Sequence, residues 1–261
     1  MKLNLVTPRT GANWVRDGMR TFFKQPLALG GLFFLFMGLL SVVTMVPVVG
    51  GALALMVLPA ATVGLMQASA LAMAGTFPMP KVLFTALTHG QEKRLAILHL
   101  GALYTLAFLL LIGATVLVDG GLFAKVYLFG EPITQEMIES DGFYRAMWLG
   151  TLLYFPMGAM FWHAPALVYW HDVPPAKSLF FSLAACWKNK GAMLIYMASW
   201  FVLFSMVSLV VVTVVAGMGG PGMIAALIAP LGMLLAAMFF ASIYLTYRDS
   251  FVIERRVDTR A

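Results

Sequence analysis

Hydrophobic and polar positions along this chain separate into long blocks and do not alternate. Between Leu27 and Tyr247, residues 27–49, 50–74, 95–118, 146–170, 191–216 and 223–247 carry no Asp, Glu, Lys or Arg. A helix needs roughly 20 apolar residues to cross the hydrocarbon core of a bilayer, and each block reaches that length. The pattern predicts an all-α fold, a polytopic transmembrane bundle of six spans filling a single integral membrane domain over residues 1–261. Pro59, Pro156, Pro165 and Pro230 fall inside the blocks. Neighbouring helices can re-satisfy the carbonyls that such prolines free, so they are expected to kink the spans. Glycines such as Gly30, Gly64, Gly101, Gly150 and Gly158 suit close helix packing.

Composition sharpens this picture. The chain is 61% hydrophobic with a mean hydropathy of +0.90, whereas soluble domains are about half apolar. Its longest polar stretch, 119–145, is loop-sized. A single cysteine, Cys186, excludes an internal disulfide framework and a multi-cysteine metal site. The N-terminus is basic and then apolar, as a signal peptide is. Its basic region, however, extends to Pro26, and the apolar stretch exceeds the roughly 7–15 residues of an h-region, so a retained first helix is expected.

The net charge of +6 reads as orientation, and nucleic acid is not expected as a partner. All but two of the 17 basic residues fall in four segments. These are the N-terminus (Lys2, Arg9, Arg16, Arg20, Lys24), the loop after the second span (Lys81, Lys93, Arg94), the loop after the fourth (Lys177, Lys188, Lys190) and the tail (Arg248, Arg255, Arg256, Arg260). Lys125 and Arg145 lie on the other side with Asp119, Glu131, Glu136, Glu139 and Asp141. Lys/Arg-rich loops are cytoplasmic, which predicts an inner-membrane protein with both termini in the cytoplasm. Six spans fit that parity; five or seven do not. The uncharged turns at 47–51 and 217–222 then face outward.

Three of the basic segments share a pattern. Trp14, Val15, Gly18, Met19, Phe22 and Phe23 recur at helical spacing, with Arg16, Arg20 and Lys24 in a separate stripe. That describes an amphipathic helix lying flat at the headgroup level. Leu179, Phe180, Leu183, Ala184 and Trp187 repeat the spacing between Lys177, Lys188 and Lys190. A shorter version, Leu83, Phe84 and Leu87, follows Pro78, Pro80 and Lys81. The second and third segments also align at a constant offset of 96, where Pro78, Lys81, Leu83, Phe84 and Leu87 match Pro174, Lys177, Leu179, Phe180 and Leu183. The reading is three parallel units, 12–75, 78–172 and 174–248, each an interfacial helix followed by an out-and-back pair of spans, with a cytoplasmic tail at 249–261.

Candidate chemistry is sparse. His163 and His171 stand eight residues apart, about 12 Å along a helix and too far for one metal ion unless Pro165 bends the chain sharply. With His99 and Asp172 a metal or haem site can be drawn, yet none of the four histidines stands in an H-x-x-x-H or H-E-x-x-H frame. His163, and with it His99, reads better as an intramembrane polar contact; His171 and Asp172 read as the polar edge of an aromatic belt with Tyr169 and Trp170. Glu136 and Glu139 lie in an acidic segment that can fold into a short helix after Pro132, where at i,i+3 they could hold a cation weakly; the segment reads better as a solvated connector. The 19 methionines include no Met-x-Met pair, which weighs against copper and leaves them as gap-fillers. Nucleophile-elbow, phosphate-loop and His-x4-Asp motifs are missing. No cofactor, no metal and no catalytic residue is expected.

The segments from Trp14-Val15-Arg16 through Lys24-Gln25-Pro26-Leu27, Leu58-Pro59-Ala60 and Ala164-Pro165-Ala166-Leu167-Val168 resemble a family of uncharacterised bacterial inner-membrane proteins with six spans and no assigned function. The likeness runs along nearly the whole chain, but its motifs are apolar and diagnose no activity. More remotely, the helix-plus-hairpin plan is similar to the membrane portion of some glycerophosphodiester phosphodiesterases; their soluble catalytic domain has no counterpart here, so the resemblance implies no activity. The expectation is a non-enzymatic inner-membrane protein that organises or regulates a membrane partner or lipid. Arg16, Arg20, Lys24, Lys177, Lys188 and Lys190 are the candidate contacts for anionic headgroups. The alternative is a transporter of a lipid-like or apolar solute without ion coupling.

Overall fold

The structure, a computed structural model, describes residues 2–218 and 221–252, with only the backbone of 216–218 and 221–226. A two-residue strand β1 (Lys2–Leu3) leads into α1 (Arg9–Lys24), α2 (Pro26–Thr44) and α3 (Gly50–Met73). A 3-10 segment (Pro80–Phe84), a single turn α4 (Thr85–Thr88) and the long α5 (Gln91–Asp119) follow. Then come α6 (Leu122–Phe129), α7 (Gln135–Glu139), α8 (Asp141–Trp162), α9 (Ala164–His171), α10 (Pro175–Lys188), α11 (Lys190–Met218), α12 (Pro221–Ser250) and β2 (Phe251–Val252). Among the described residues, five helices are long and apolar enough to cross a membrane: Pro26–Thr44, Gly50–Met73, Gln91–Asp119, Lys190–Val215 and Leu227–Ser250. The chain is thus an all-α polytopic membrane protein. The predicted fourth span, 146–170, is not one helix: α8 and α9 meet at His163. The turn expected at 217–222 passes through residues 219 and 220, which lie outside the described residues, as do Arg255, Arg256 and Arg260 of the tail.

Contacts group the chain into two compact units, one of residues 1–38, 61–85 and 184–261, the other of 39–60 and 86–183. In the first unit α1 packs against α11 and α12. Two glycines one heptad apart allow this: a Cβ at Gly11 would strike the Ala192 carbonyl oxygen, and one at Gly18 would strike Ser242. Trp14, 1% exposed, lies between them. Its ring meets Tyr196 edge-on at 6.0 Å, and its Nε1 donates to Asp249 Oδ2 at 2.9 Å. Phe22, also 1% exposed, completes the face. The stripe expected to rest on lipid is therefore spent on protein. Against lipid, where the rings would also be out of water, the gain comes from the close approach that the glycines allow, the edge-on aromatic contact and the bond to Asp249.

The same unit joins the two ends of the described chain. β1 pairs with β2 antiparallel, Lys2 opposite Val252 and Leu3 opposite Phe251. Asn189, 2% exposed at the α10–α11 junction, organises the join. Its Oδ1 accepts from the Val6 N–H at 3.0 Å, and its Nδ2 donates to the Asn4 carbonyl at 3.0 Å. Phe33 and Phe36 of α2 meet Phe240 of α12 at 5.4 and 6.2 Å between ring centroids.

In the second unit α5 and α8 run antiparallel. Tyr104 meets Phe161 at 5.0 Å, Gly150 comes up against Thr115, and Gly142 against Asp119. The first half of α3 approaches α5 at Gly101, where a Cβ would overlap the Met56 carbonyl oxygen. The stretch 119–145, expected as a loop, is mostly helical. Asp119 accepts from the Gly121 and Phe123 N–H groups at 2.8 and 2.6 Å, so it ends α5 and caps α6 at once. Gly120 and Gly121, with φ of 67° and 100°, make the corner. After Pro132, Thr134 caps α7 through the Met137 N–H at 3.3 Å, so the connector that holds Glu136 and Glu139 takes the short helix open to it.

Two glycines of α5 separate packing from propensity. Gly101→Ala should destabilise the protein by about 1–3 kcal/mol through overpacking. At Gly113 nothing lies within 4 Å of a Cβ, so Gly113→Ala should be neutral or stabilise by up to about 1 kcal/mol. Thermal unfolding of both variants in detergent reads the difference, and equal shifts would contradict the close α3–α5 approach.

Candidate functional site

The polar chemistry of the second unit concentrates where the fourth apolar block breaks. A continuous helix would join the His163 N–H to the Ala159 carbonyl. Instead the Ser182 hydroxyl of α10 stands between them: it accepts from the His163 N–H at 2.9 Å and donates to the Ala159 carbonyl at 2.7 Å. Insertion of a side chain into the i→i−4 ladder is a recognised cause of a break. Pro165, in the first turn of α9, has no N–H to offer, which a helix start tolerates. The other predicted intrahelical prolines, Pro59, Pro156 and Pro230, sit within unbroken helices. His163 is 0% exposed. His99 faces outward from α5 and lies on the exposed surface, so the two histidines have opposite environments.

α9 ends on a second polar contact. Asp172 takes the left-handed conformation, φ 52°, which Asp tolerates better than most residues. Lys93, from the first turn of α5, donates to the Tyr169 carbonyl at 2.9 Å and pairs with Asp172 at 3.3 Å. Its ammonium also lies 5.2 Å from the Tyr169 ring centroid. The lysine thereby satisfies one of the carbonyls that every helix end leaves over. The ion pair itself is solvated, Asp172 being 70% exposed, and contributes little. Among the described residues no group of three or more His, Cys, Asp and Glu is placed to hold a metal ion.

The six candidate headgroup contacts divide between α1 and the α10–α11 corner. Arg16 and Arg20 reach the same Asp17 carboxylate, at 3.2 and 3.6 Å, which offsets part of their charge. Lys24 donates to the Met73 carbonyl at 3.4 Å. Lys177, Lys188 and Lys190 are exposed, and Lys190 lies 5.2 Å from the Trp187 ring centroid. α10 differs from α1 in how it uses its faces. Ser178, Ser182, Ala185 and Cys186 form its buried stripe, while Phe180 and Trp187 on the opposite side are 67% and 68% exposed. The periodicity located that apolar face correctly. It could not reveal that a small, hydroxyl-bearing stripe is the one the protein buries, and so it missed Ser182. A serine recurring four residues after Ser178 on the side away from Phe180 was the available signal.

Removing the Ser182 hydroxyl leaves a buried N–H and a buried carbonyl without their bridge. Ser182→Ala should therefore cost about 1–3 kcal/mol, whereas Ser182→Thr, which keeps the hydroxyl, should cost less. Unfolding temperatures of the two variants in detergent test this; an alanine variant as stable as the wild type would contradict the bridge.

No family model matches the chain, and no solved structure gives a significant match. A curated relative does: the probable inner membrane protein BTH_II0599 of Burkholderia thailandensis is 36% identical over 258 residues, covering 97% of this chain and 95% of the relative. The likeness to glycerophosphodiester phosphodiesterases finds no support in these comparisons. With several membrane-length helices and a relative aligned almost end to end, the chain belongs to the family of this probable inner membrane protein.

Proposed function

We propose that this is a non-enzymatic, six-crossing protein of the inner membrane that holds anionic lipid at its cytoplasmic surface and so organises lipid, or a membrane partner, around itself. The observation that carries the reading is the outward face of α10. A soluble helix would bury Phe180 and Trp187; here they stand exposed beside Lys177, Lys188 and Lys190. An aromatic face edged by lysines is the composition of a helix seated at the headgroup boundary. The lysine stems can lie along apolar surface while the ammonium groups stay at headgroup level. The Arg16, Arg20 and Lys24 stripe of α1 contributes a second, weaker cationic face, because Asp17 partly neutralises it.

Two observations support the crossing number and orientation. The β1–β2 pairing brings residues 2–3 and 251–252 together, which supports an even number of crossings between them. Five continuous membrane-length helices then call for a sixth crossing, which α8 and α9 supply in succession. The lysine- and arginine-rich side is cytoplasmic by charge bias. For the threefold repeat, the alignment at offset 96 finds partial support in burial: Val82 and Ser178, and Ala86 and Ser182, are buried and Phe84 and Phe180 exposed, whereas Leu83 and Thr85 are buried where Leu179 and Phe181 are not. The middle copy is a 3-10 segment and one α-turn in place of a full amphipathic helix.

A second reading, transport of a lipid-like or apolar solute without ion coupling, draws on the apolar cavity along the α5–α8 seam described below. It differs in requiring net movement of solute across reconstituted vesicles.

Replacing Lys177, Lys188 and Lys190 with Gln should weaken the preference for phosphatidylglycerol over phosphatidylcholine by about 1 kcal/mol per charge. The Arg16, Arg20 and Lys24 triple variant should show a smaller loss. Lipid partitioning in mixed-lipid vesicles measures both, and an unchanged preference in the α10 variant would overturn the reading. For orientation, cysteines at Lys93 and Lys188 should resist a membrane-impermeant maleimide in intact cells, and one at Glu136 should react. Labelling of position 93 or 188 would reverse the assignment.

A further inference from the structure

Along the seam of α5 and α8 lies a cavity of about 480 Å³ lined only by Leu, Ala, Met, Pro and Phe side chains. Pro156 of α8 is part of its wall, and Met157 and Phe161, both buried, form its floor. Leu106 and Leu110 of α5 stand at its mouth, 55% and 65% exposed. Its volume is that of a small-molecule site, yet it offers no charged, amide or hydroxyl side chain to a polar ligand.

Depth decides what such a cavity can hold. Its α5 wall runs from Leu103 to Leu111, about 12 Å along the helix axis. Ala107, at the centre of that wall, is also at the centre of the charge-free block 95–118. The cavity therefore opens at the middle of the hydrocarbon layer, some distance from either headgroup region. Side-chain contacts narrow it at both ends. At one end Gly150 lets Phe123 and Thr115 come within 3.2 and 3.4 Å of where a Cβ would sit. At the other, Tyr104 and Phe161 meet edge-on at 5.0 Å, and Leu179, one turn before Ser182, adds a wall. A helix from a second copy would run the length of the seam, whereas this hollow is about two turns long and narrows above and below. A flexible hydrocarbon chain entering from the side fits it.

The geometry points to an acyl-chain site: the cavity between α5 and α8 holds one fatty-acyl tail of a membrane phospholipid, which enters past Leu106 and Leu110. The occupant is recognised by hydrocarbon alone, so its headgroup is free to be zwitterionic or anionic. This extends the lipid reading from the α10 surface into the membrane without resting on the lysines. The two are separable in one preparation.

Protein exchanged into phosphatidylcholine-containing detergent and then washed with lipid-free detergent should retain about one phospholipid per chain, read by native mass spectrometry and phosphorus assay. Ala107→Phe fills the cavity and Leu110→Trp plugs its exposed mouth; each should abolish that retention. Phe201→Ala, at an exposed position on α11 outside the cavity, should leave it intact. A wild type that carries no lipid after washing would overturn the site. So would a Leu110→Trp variant with the wild-type unfolding temperature and the wild-type lipid content, or a lipid-free dimer that dissociates on Leu110→Trp. Because the exchange lipid is zwitterionic, loss of anionic preference in the α10 lysine variant leaves this measurement unaffected.

Discussion

A backbone at membrane depth finds no water, so every N–H and C=O in the hydrocarbon must be satisfied by the protein itself. Continuous helices meet that demand within themselves, and five of the apolar blocks do so. The fourth block does not form one helix, and at its break the bonding is supplied by another segment. Ser182 both receives from His163 and gives to Ala159, so one hydroxyl closes the gap that the interrupted ladder leaves. Farther along, Lys93 performs the same service for the last turn of α9 through the Tyr169 carbonyl. The positions of α10 and of the start of α5 are tied to these needs. An apolar residue at 182 would leave the break without its bridge.

The same economy governs how the amphipathic segments use their faces. α1 and α10 look alike in sequence, each an aromatic stripe beside a basic one. Gly11 and Gly18 let α1 sink between α11 and α12, and once that close, Trp14 and Phe22 gain more from protein than from lipid. α10 has its small residues on the other side. Ser178, Ser182, Ala185 and Cys186 make the close approach, and Phe180 and Trp187 are left outside beside the lysines. Two helices of one type thus reach opposite arrangements, and the position of the small residues decides which.

The fold class and most helix positions could be read directly from the chain, because a charge-free run of membrane length has few other stable destinations. The short α7 after Pro132 was legible too, and the uncharged turn near 47–51 falls where expected. α6 was not: 119–145 reads as polar loop by composition, and the double cap from Asp119 becomes visible only when Gly120 and Gly121 are seen to turn the backbone. The break at His163 also escaped. Pro165 suggested a kink, but a proline inside a helix does not by itself break it, as Pro59, Pro156 and Pro230 show in this same molecule. The candidate basic residues were placed on the surface as expected, although Asp17, adjacent in sequence, takes up part of the Arg16 and Arg20 charge.

What the amino-acid order determined alone was which segments are long and apolar enough for lipid, since transfer free energies are sums over local composition. What only tertiary structure decided was which face of each amphipathic helix meets protein, where the fourth apolar block gives way, and that an apolar cavity opens midway along α5. Those outcomes depend on distances between residues far apart in the chain. Ser182 reaches Ala159, Gly18 reaches Ser242 and Gly101 reaches Met56, and none of these pairings leaves a periodic trace in the sequence.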